Sequence, residues 1–301
     1  MTGSPDPSRS AAGAPTGAIL LVAVLALLAA CGQKPPPPVA TDQPAQRLVA
    51  LSPHLTELAF AAGAGPKLVG VVEFSDYPVA ARALPRVGDA FRLDLEALAG
   101  LAPDLILGWP SGNSPAALDR LRRLGYRVVE LEPRRLGDIG DQLEVIGRLA
   151  GTEAQASQAA REFRDGLAAL QARYADAGPG RVFYQIAPQP LLTVNREHFI
   201  GQAIEVCGGR NIYAEVPALT PVVSAESVVS RAPEAIVAND YTRGPGSPAA
   251  GTPLDRWRPW QTLPAVARER LFLMDPDLMS VPGPRLLAGI TQLCALLNDG
   301  V

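Results

Sequence analysis

Thr152 to Ala177 reads TEAQASQAAREFRDGLAALQARYADA, and its reading decides the fold. Phe163, Leu167, Leu170 and Tyr174 recur at spacings of four, three and four, the apolar stripe of an amphipathic helix. Thr152 with Gln155 three positions on has the form of a capping box, and Gly178-Pro179-Gly180 supplies the stop. Twenty-five helical residues would span roughly 38 Å at ~1.5 Å each, long for a globular helix. A rod of that length between two stretches of α/β grammar reads as a strut between two lobes. The competing reading is a peripheral helix on one large domain.

The stretches on either side favour the strut. Upstream, apolar strands at Arg47–Leu51, Leu68–Val72, Asp104–Gly108 and Arg127–Leu131 alternate with helices at Thr56–Ala62, Leu95–Leu101 and Ala116–Leu124, with Ser52-Pro53-His54 as a loop. Continuous apolar strands alternating with helices predict parallel, doubly wound sheet. Downstream, a strand at Val182–Ile186, a helix at Ile200–Val206 and a strand at Leu271–Met274 repeat the pattern. The echo is closest between DLEALAGLAPDLIL (94–107) and SAESVVSRAPEAIV (224–237): Glu96 and Glu226 each precede an Ala-Pro-acid strand opening by the same interval. The expected architecture is therefore α/β: two Rossmann-like lobes with mainly parallel sheets joined by one long rigid helix. The expected divisions are 47–151 for the first lobe, 152–177 for the helix and 178–301 for the second lobe.

Before the fold, Ala18–Ala30 is an uncharged apolar run of 13 residues, too short to span a bilayer core of ~30 Å and of the length of a signal-peptide h-region. It ends in Leu28-Ala29-Ala30-Cys31-Gly32, which resembles a bacterial lipobox. Residues 1–30 are then a lipoprotein signal, Cys31 carries the lipid, and 31–46, with four consecutive prolines, is an extended tether. A plain cleaved signal and an uncleaved anchor are the alternatives. In an exported protein the remaining pair, Cys207 and Cys294, reads as a disulfide or as two buried thiols. With 27 basic against 30 acidic residues the chain carries no electrostatic footprint for nucleic acid.

Open α/β sheets bind ligands beyond the carboxyl ends of their strands. The loops there hold His54, Phe74, Asp76, Tyr77, Trp109, Asn113, Asn239, Asp240, Tyr241, Asp277 and Met279, an apolar and aromatic set suited to a large, partly apolar ligand. No H-E-x-x-H, C-x-x-C, P-loop or G-x-S-x-G motif occurs, so an enzyme is not expected. A lipoprotein scaffold with a protein partner is a further alternative. Of the two histidines, His54 and His198, the first lies in a candidate cleft loop, where metal ligation competes with an ordinary hydrogen-bonded role.

LSPHLTELAFAAG (51–63), FSDYP (74–78), APDLI (102–106), EVCGGRNI (205–212) and QLC (292–294) together resemble the periplasmic cobalamin-binding proteins of bacterial ABC importers, over residues 46 to 298. The resemblance implies a class III binding protein: a monomer, without a cofactor of its own, that holds a corrinoid between its lobes and delivers it to an ABC permease dimer. It also implies a Cys207–Cys294 bond. Phe74 stands where the family has a ligand-contacting tyrosine, Trp109 matches a cleft aromatic, and Tyr77 and Phe91 complete the ring set. Asp277, Leu278, Met279, Ser280 and Val281 align with a ligand loop that is more aromatic in the family. Ala90, Leu192 and Thr220 replace further aromatics, which leaves an iron siderophore or haem as the alternative ligand. Glu96 and Glu226 match the pair that docks onto permease arginines. Read from spacing alone, both fall in helix first turns behind Asp94 and Ser224, where the dipole favours acids by ~0.3–1 kcal/mol.

Overall fold

The computed structural model describes residues 43–243 and 251–299. The expected signal segment, Cys31 and the tether as far as residue 42 lie outside these. From Pro44 the chain is docked: Ala45 is buried and donates its N–H to Leu149 O at 2.7 Å.

The first lobe is a parallel sheet of β1 (Leu48–Ala50), β2 (Leu68–Val71), β3 (Leu105–Gly108) and β4 (Val128–Glu130), in the order β2-β1-β3-β4. Its helices are α1 (Pro53–Ala61), α2 (Leu95–Gly100) and α3 (Pro115–Arg123). A helical hairpin follows, α4 (Asp138–Ala150) and α5 (Glu153–Arg173). The second lobe pairs β5 (Arg181–Gln185), β8 (Arg210–Asn211), β9 (Ala235–Asn239) and β10 (Leu271–Met274) in the order β10-β9-β5-β8, again all parallel. A small antiparallel pair, β6 (Ala187–Pro188) and β7 (Leu191–Leu192), follows β5. Helices α6 (Phe199–Val206), α7 (Ala225–Ser230), α8 (Pro264–Ala267), α9 (Pro276–Met279) and α10 (Leu286–Asn298) complete it.

The strut expectation holds with amendments. Phe163, Leu167, Leu170 and Tyr174 all point into a core that continues from Leu48 and Leu55 of the first lobe to Ile290 and Leu297 of the second. At 21 residues, α5 spans about 32 Å. Its capping box does not form: the Thr152 hydroxyl donates to Ala62 O at 2.6 Å, leaving no side-chain cap. The helix also has a partner that the sequence reading omits. Helix α4 ends at Gly151, left-handed at φ 68°, and α5 returns along it so closely that a Cβ on Gly147 would lie 2.3 Å from that of Ala156.

The repeat has a physical basis in the start of each sheet. Asp104 accepts the N–H of Arg47, and Arg47 Nε donates to Leu101 O. Glu234 accepts the N–H of Arg181, and Arg181 Nε donates to Ala232 O. The acid of each Ala-Pro-acid therefore fastens the neighbouring strand, and Ala102 and Ala232 both turn through left-handed φ, 44° and 46°. Cys207 and Cys294 are bonded, tying α6 to α10. Closing a loop across a sequence separation of 87 contributes about 4 to 5 kcal/mol in the chain-entropy account, less any strain.

Candidate functional site

The strands of both lobes run toward a shared cleft. Its first-lobe wall comes from the residues after β1 (Pro53, His54), β3 (Trp109) and β4 (Glu132); its second-lobe wall comes from those after β5 (Ile186, Ala187), β9 (Tyr241) and β10 (Ser280–Pro282), with Phe199 at the start of α6. Two chambers of about 550 and 490 Å³ share Trp109, His198, Phe199 and Pro282 and so lie side by side. The volume and largely apolar lining are those of a small-molecule site. A wider groove of about 720 Å³ lies against the hairpin, lined by charged groups such as Asp141, Arg164 and Glu205 and adjoining the first chamber at Arg135 and Gln202. It touches no strand end and is not the better candidate.

Trp109 is held tightly. Its backbone N–H donates to Asn113 Oδ1 at 2.7 Å, while Asn113 Nδ2 donates to Leu51 O and Ala90 O. Its indole N–H donates to Glu132 at 3.2 Å. Asn113 is thus a brace of the loop rather than a wall residue. His54 packs edge-on against the indole, ring centroids 5.1 Å apart. It sits in the first turn of α1, not in a loop, because Ser52 caps that helix by accepting the Leu55 N–H and Pro53 takes its first position. Ser52 Oγ lies 2.9 Å from His54 Nδ1, and Nε2 is buried without a hydrogen-bond partner. Burial lowers the His54 pKa to about 3. His198 caps α6 through Nδ1, which accepts the Ile200 N–H at 3.1 Å, and burial lowers its pKa to about 4. Both rings are neutral at ordinary pH, so the charges of the cleft are those of Glu132, Arg134, Arg135 and Glu197.

In the second lobe Tyr184 donates its buried hydroxyl to Asn239 Oδ1, and Asn239 Nδ2 donates to Ser280 Oγ and to the Tyr241 hydroxyl, both at 3.0 Å. Ser280 and Val281 line the cleft. Met279 does not: it is fully buried, and a Cβ on Gly289 would lie 2.8 Å from its sulfur, so it supports the loop from beneath. Leu278 is half-buried and Asp277 exposed; neither lines the chambers.

The remaining ring set lies outside the two chambers. Phe74, at φ 65°, and Phe91 are 80% and 75% exposed. Tyr77 borders a separate cavity of about 470 Å³ and stacks under the Arg285 guanidinium at 4.1 Å. Asp76 pairs with Arg86. Glu96 and Glu226 are exposed at the second position of α2 and α7, behind Asp94 and Ser224, whose side chains accept first-turn N–H groups. Hydrogen bonds from its own backbone N–H and from Ser224 hold the Glu226 carboxyl below its ordinary pKa. Sequence reading missed Glu132, Phe199, Leu219 and Pro282 as wall residues. The first follows a strand that had been recognised, which is the signal that would have found it.

Several known proteins are similar to this chain. It is 36% identical to the vitamin B12-binding protein of Vibrio cholerae over 85% of this chain and 90% of that one. It is 34% identical to the vitamin B12-binding protein of Yersinia pestis over 92% and 90%. The crystal structure of the V. cholerae periplasmic vitamin B12 binding protein BtuF superimposes with a TM-score of 0.76, covering 84% of this chain and 97% of that one. A periplasmic heme binding protein of Pseudomonas aeruginosa, 27% identical, superimposes with a TM-score of 0.72 over 85% and 94%. With residues 48–278 matching the family as well, the chain belongs to the periplasmic binding protein family.

Proposed function

We propose that this protein captures a corrinoid of the cobalamin type between its lobes and delivers it to the permease dimer of an ABC importer. It works as a monomer in the periplasm, held to a membrane by lipid on Cys31. The observation that carries the reading is the cleft itself: strand ends of both lobes meet at chambers walled by Trp109, Phe199 and Pro282, with Glu132, Arg134, Arg135 and Glu197 as the charged part of the wall. The 36% identity to a vitamin B12-binding protein supports the choice of ligand. Trp109, Ser280 and Val281 contact the ligand within the cleft; Phe74, Tyr77 and Phe91 meet it only from outside the two chambers. Haem is the second reading, favoured by the likeness to a periplasmic heme binding protein of 27% identity.

Titration of the purified protein with hydroxocobalamin, haemin and a ferric hydroxamate siderophore tests the reading. Saturable cobalamin binding without conversion is expected. Binding of haemin with none of hydroxocobalamin would transfer the case to the second reading.

The two glutamates are the docking contacts. They crown structurally equivalent short helices on the two lobes, which suits a two-fold partner. Exposed charges of this kind act on orientation and encounter rate. Glu96→Arg with Glu226→Arg is expected to reduce cellular uptake at least tenfold while the Kd for ligand stays within about twofold. Unchanged uptake by the double variant would refute the docking assignment.

A further inference from the structure

The half-buried carboxylate of Glu132, just past β4, receives three hydrogen bonds from the loop after β3: the Trp109 indole N–H at 3.2 Å, the Ser111 N–H at 2.9 Å and the Ser111 hydroxyl at 3.0 Å. The indole is further fixed from two other directions. A Cβ on Gly112 would lie 1.9 Å from the ring, so the ring rests against that glycine, and His54 abuts it edge-on at 5.1 Å. A tryptophan with one polar atom could be stabilised in many poses; here its single donor selects one.

We infer that Glu132 is a positioning residue for ligand binding, whose carboxylate holds the Trp109 indole in the pose that meets the ligand. The assignment rests on the reading of the cleft as the ligand site. The contact made by an aromatic ring depends on its orientation as well as on the area it buries. A ring free to swing must be ordered at each binding event, and that cost falls on affinity. Glutamine retains a carbonyl acceptor for the indole N–H but loses the charge that strengthens the bond. Alanine removes the acceptor altogether.

The test uses Glu132→Ala and Glu132→Gln in the full chain, each also in a Trp109→Phe background, with hydroxocobalamin and haemin as probes. Two signals are read: Kd, and the Trp109 emission obtained as the difference between each protein and its Trp109→Phe partner. Glu132→Ala is expected to raise Kd about 3- to 10-fold, Glu132→Gln to recover most of that, and neither to have any effect once Trp109 is phenylalanine. In the unliganded protein, Glu132→Ala should make the Trp109 emission more accessible to acrylamide. An equal loss of affinity in both backgrounds would overturn the assignment, since Glu132 would then act on the ligand or the fold directly. If the parent protein bound neither probe, the corrinoid and haem readings would fall. Quenching would then decide the positioning role alone, an unchanged Trp109 signal in Glu132→Ala refuting it.

Discussion

Lowering the pH from 7 toward 4 is expected to destabilise this protein steeply, with both of its histidines responsible. Each has an ordinary pKa of 6.5, lowered by burial to about 3 for His54 and about 4 for His198. The unfolded chain therefore binds two protons through a range in which the folded chain binds none. Stability is fully present above pH 6.5 and is lost as pH falls below it, at up to about 1.4 kcal/mol per pH unit for each histidine. The loss ends for each ring only near its folded value.

The other shifted groups leave this window nearly clean. Glu144 and Glu234 are held below their ordinary values, by Arg164 and by the Arg181 N–H respectively, so their protonation costs stability only below about pH 4.5. Glu57 is raised, mainly by desolvation, and its early protonation offsets part of one histidine's loss. Urea midpoints measured between pH 8 and 4.5 should thus bend downward below pH 6.5. His198→Asn keeps a capping side chain at α6, and His54→Gln keeps a polar group beside Ser52; each should remove about half of the bend. A bend as steep in either variant as in the parent would mean that the folded rings already carry protons.

The same two rings show how far the sequence could be read. The apolar strands, the stripe on α5 and the Ala-Pro-acid repeat are local patterns, and all three correspond to buried faces or to bonds between adjacent strands. The capping box was legible but wrong, because the Thr152 hydroxyl has a competitor for its hydrogen bond, Ala62 O, 90 residues away. Helix α4 carries an ordinary stripe of Ile139, Leu143 and Ile146 with Gly151 as its stop, a pattern as local as that of α5. The expected strand-end loops border two chambers, but Phe74, Phe91, Asp277, Leu278 and Met279 line neither. Whether an aromatic in a strand-end loop turns inward, as Trp109 does, or outward, as Phe74 does at φ 65°, depends on backbone angles and braces that no residue pattern encodes. The role of His198 as a cap is equally hidden from a residue pattern: Nδ1 accepts the N–H of Ile200 two positions on, and the ring lies against Phe199.

Replacing Arg285 should cost more than replacing the carboxylate that it holds. Glu57 lies in α1 of the first lobe and is only 4% exposed; Arg285, just before α10 in the second lobe, is 22% exposed. Its Nε donates to both carboxylate oxygens at 3.1 Å and its terminal nitrogen to Oε1 at 2.6 Å, so the pair bridges the lobes in bidentate geometry. Removing one partner of a buried pair costs about 3–5 kcal/mol, because a desolvated charge remains. The asymmetry follows from exposure. Arg285→Met strands a buried carboxylate, whereas Glu57→Gln leaves a guanidinium that still has water and the Tyr77 ring at 4.1 Å. Arg285→Met is therefore expected to lose about 3 kcal/mol or more at pH 8, and Glu57→Gln about half of that. Desolvation already raises the Glu57 pKa with Arg285 in place, and without it the carboxyl moves higher still. A carboxyl whose folded pKa is raised contributes stability that is present at low pH and lost as pH rises through that pKa, so the Arg285→Met deficit should shrink as the pH falls to 5. Urea denaturation of both variants at pH 8 and pH 5 decides the matter. Equal costs for the two at pH 8, or a deficit in Arg285→Met that does not change with pH, would mean that Glu57 reaches water or a second cation once its partner is gone.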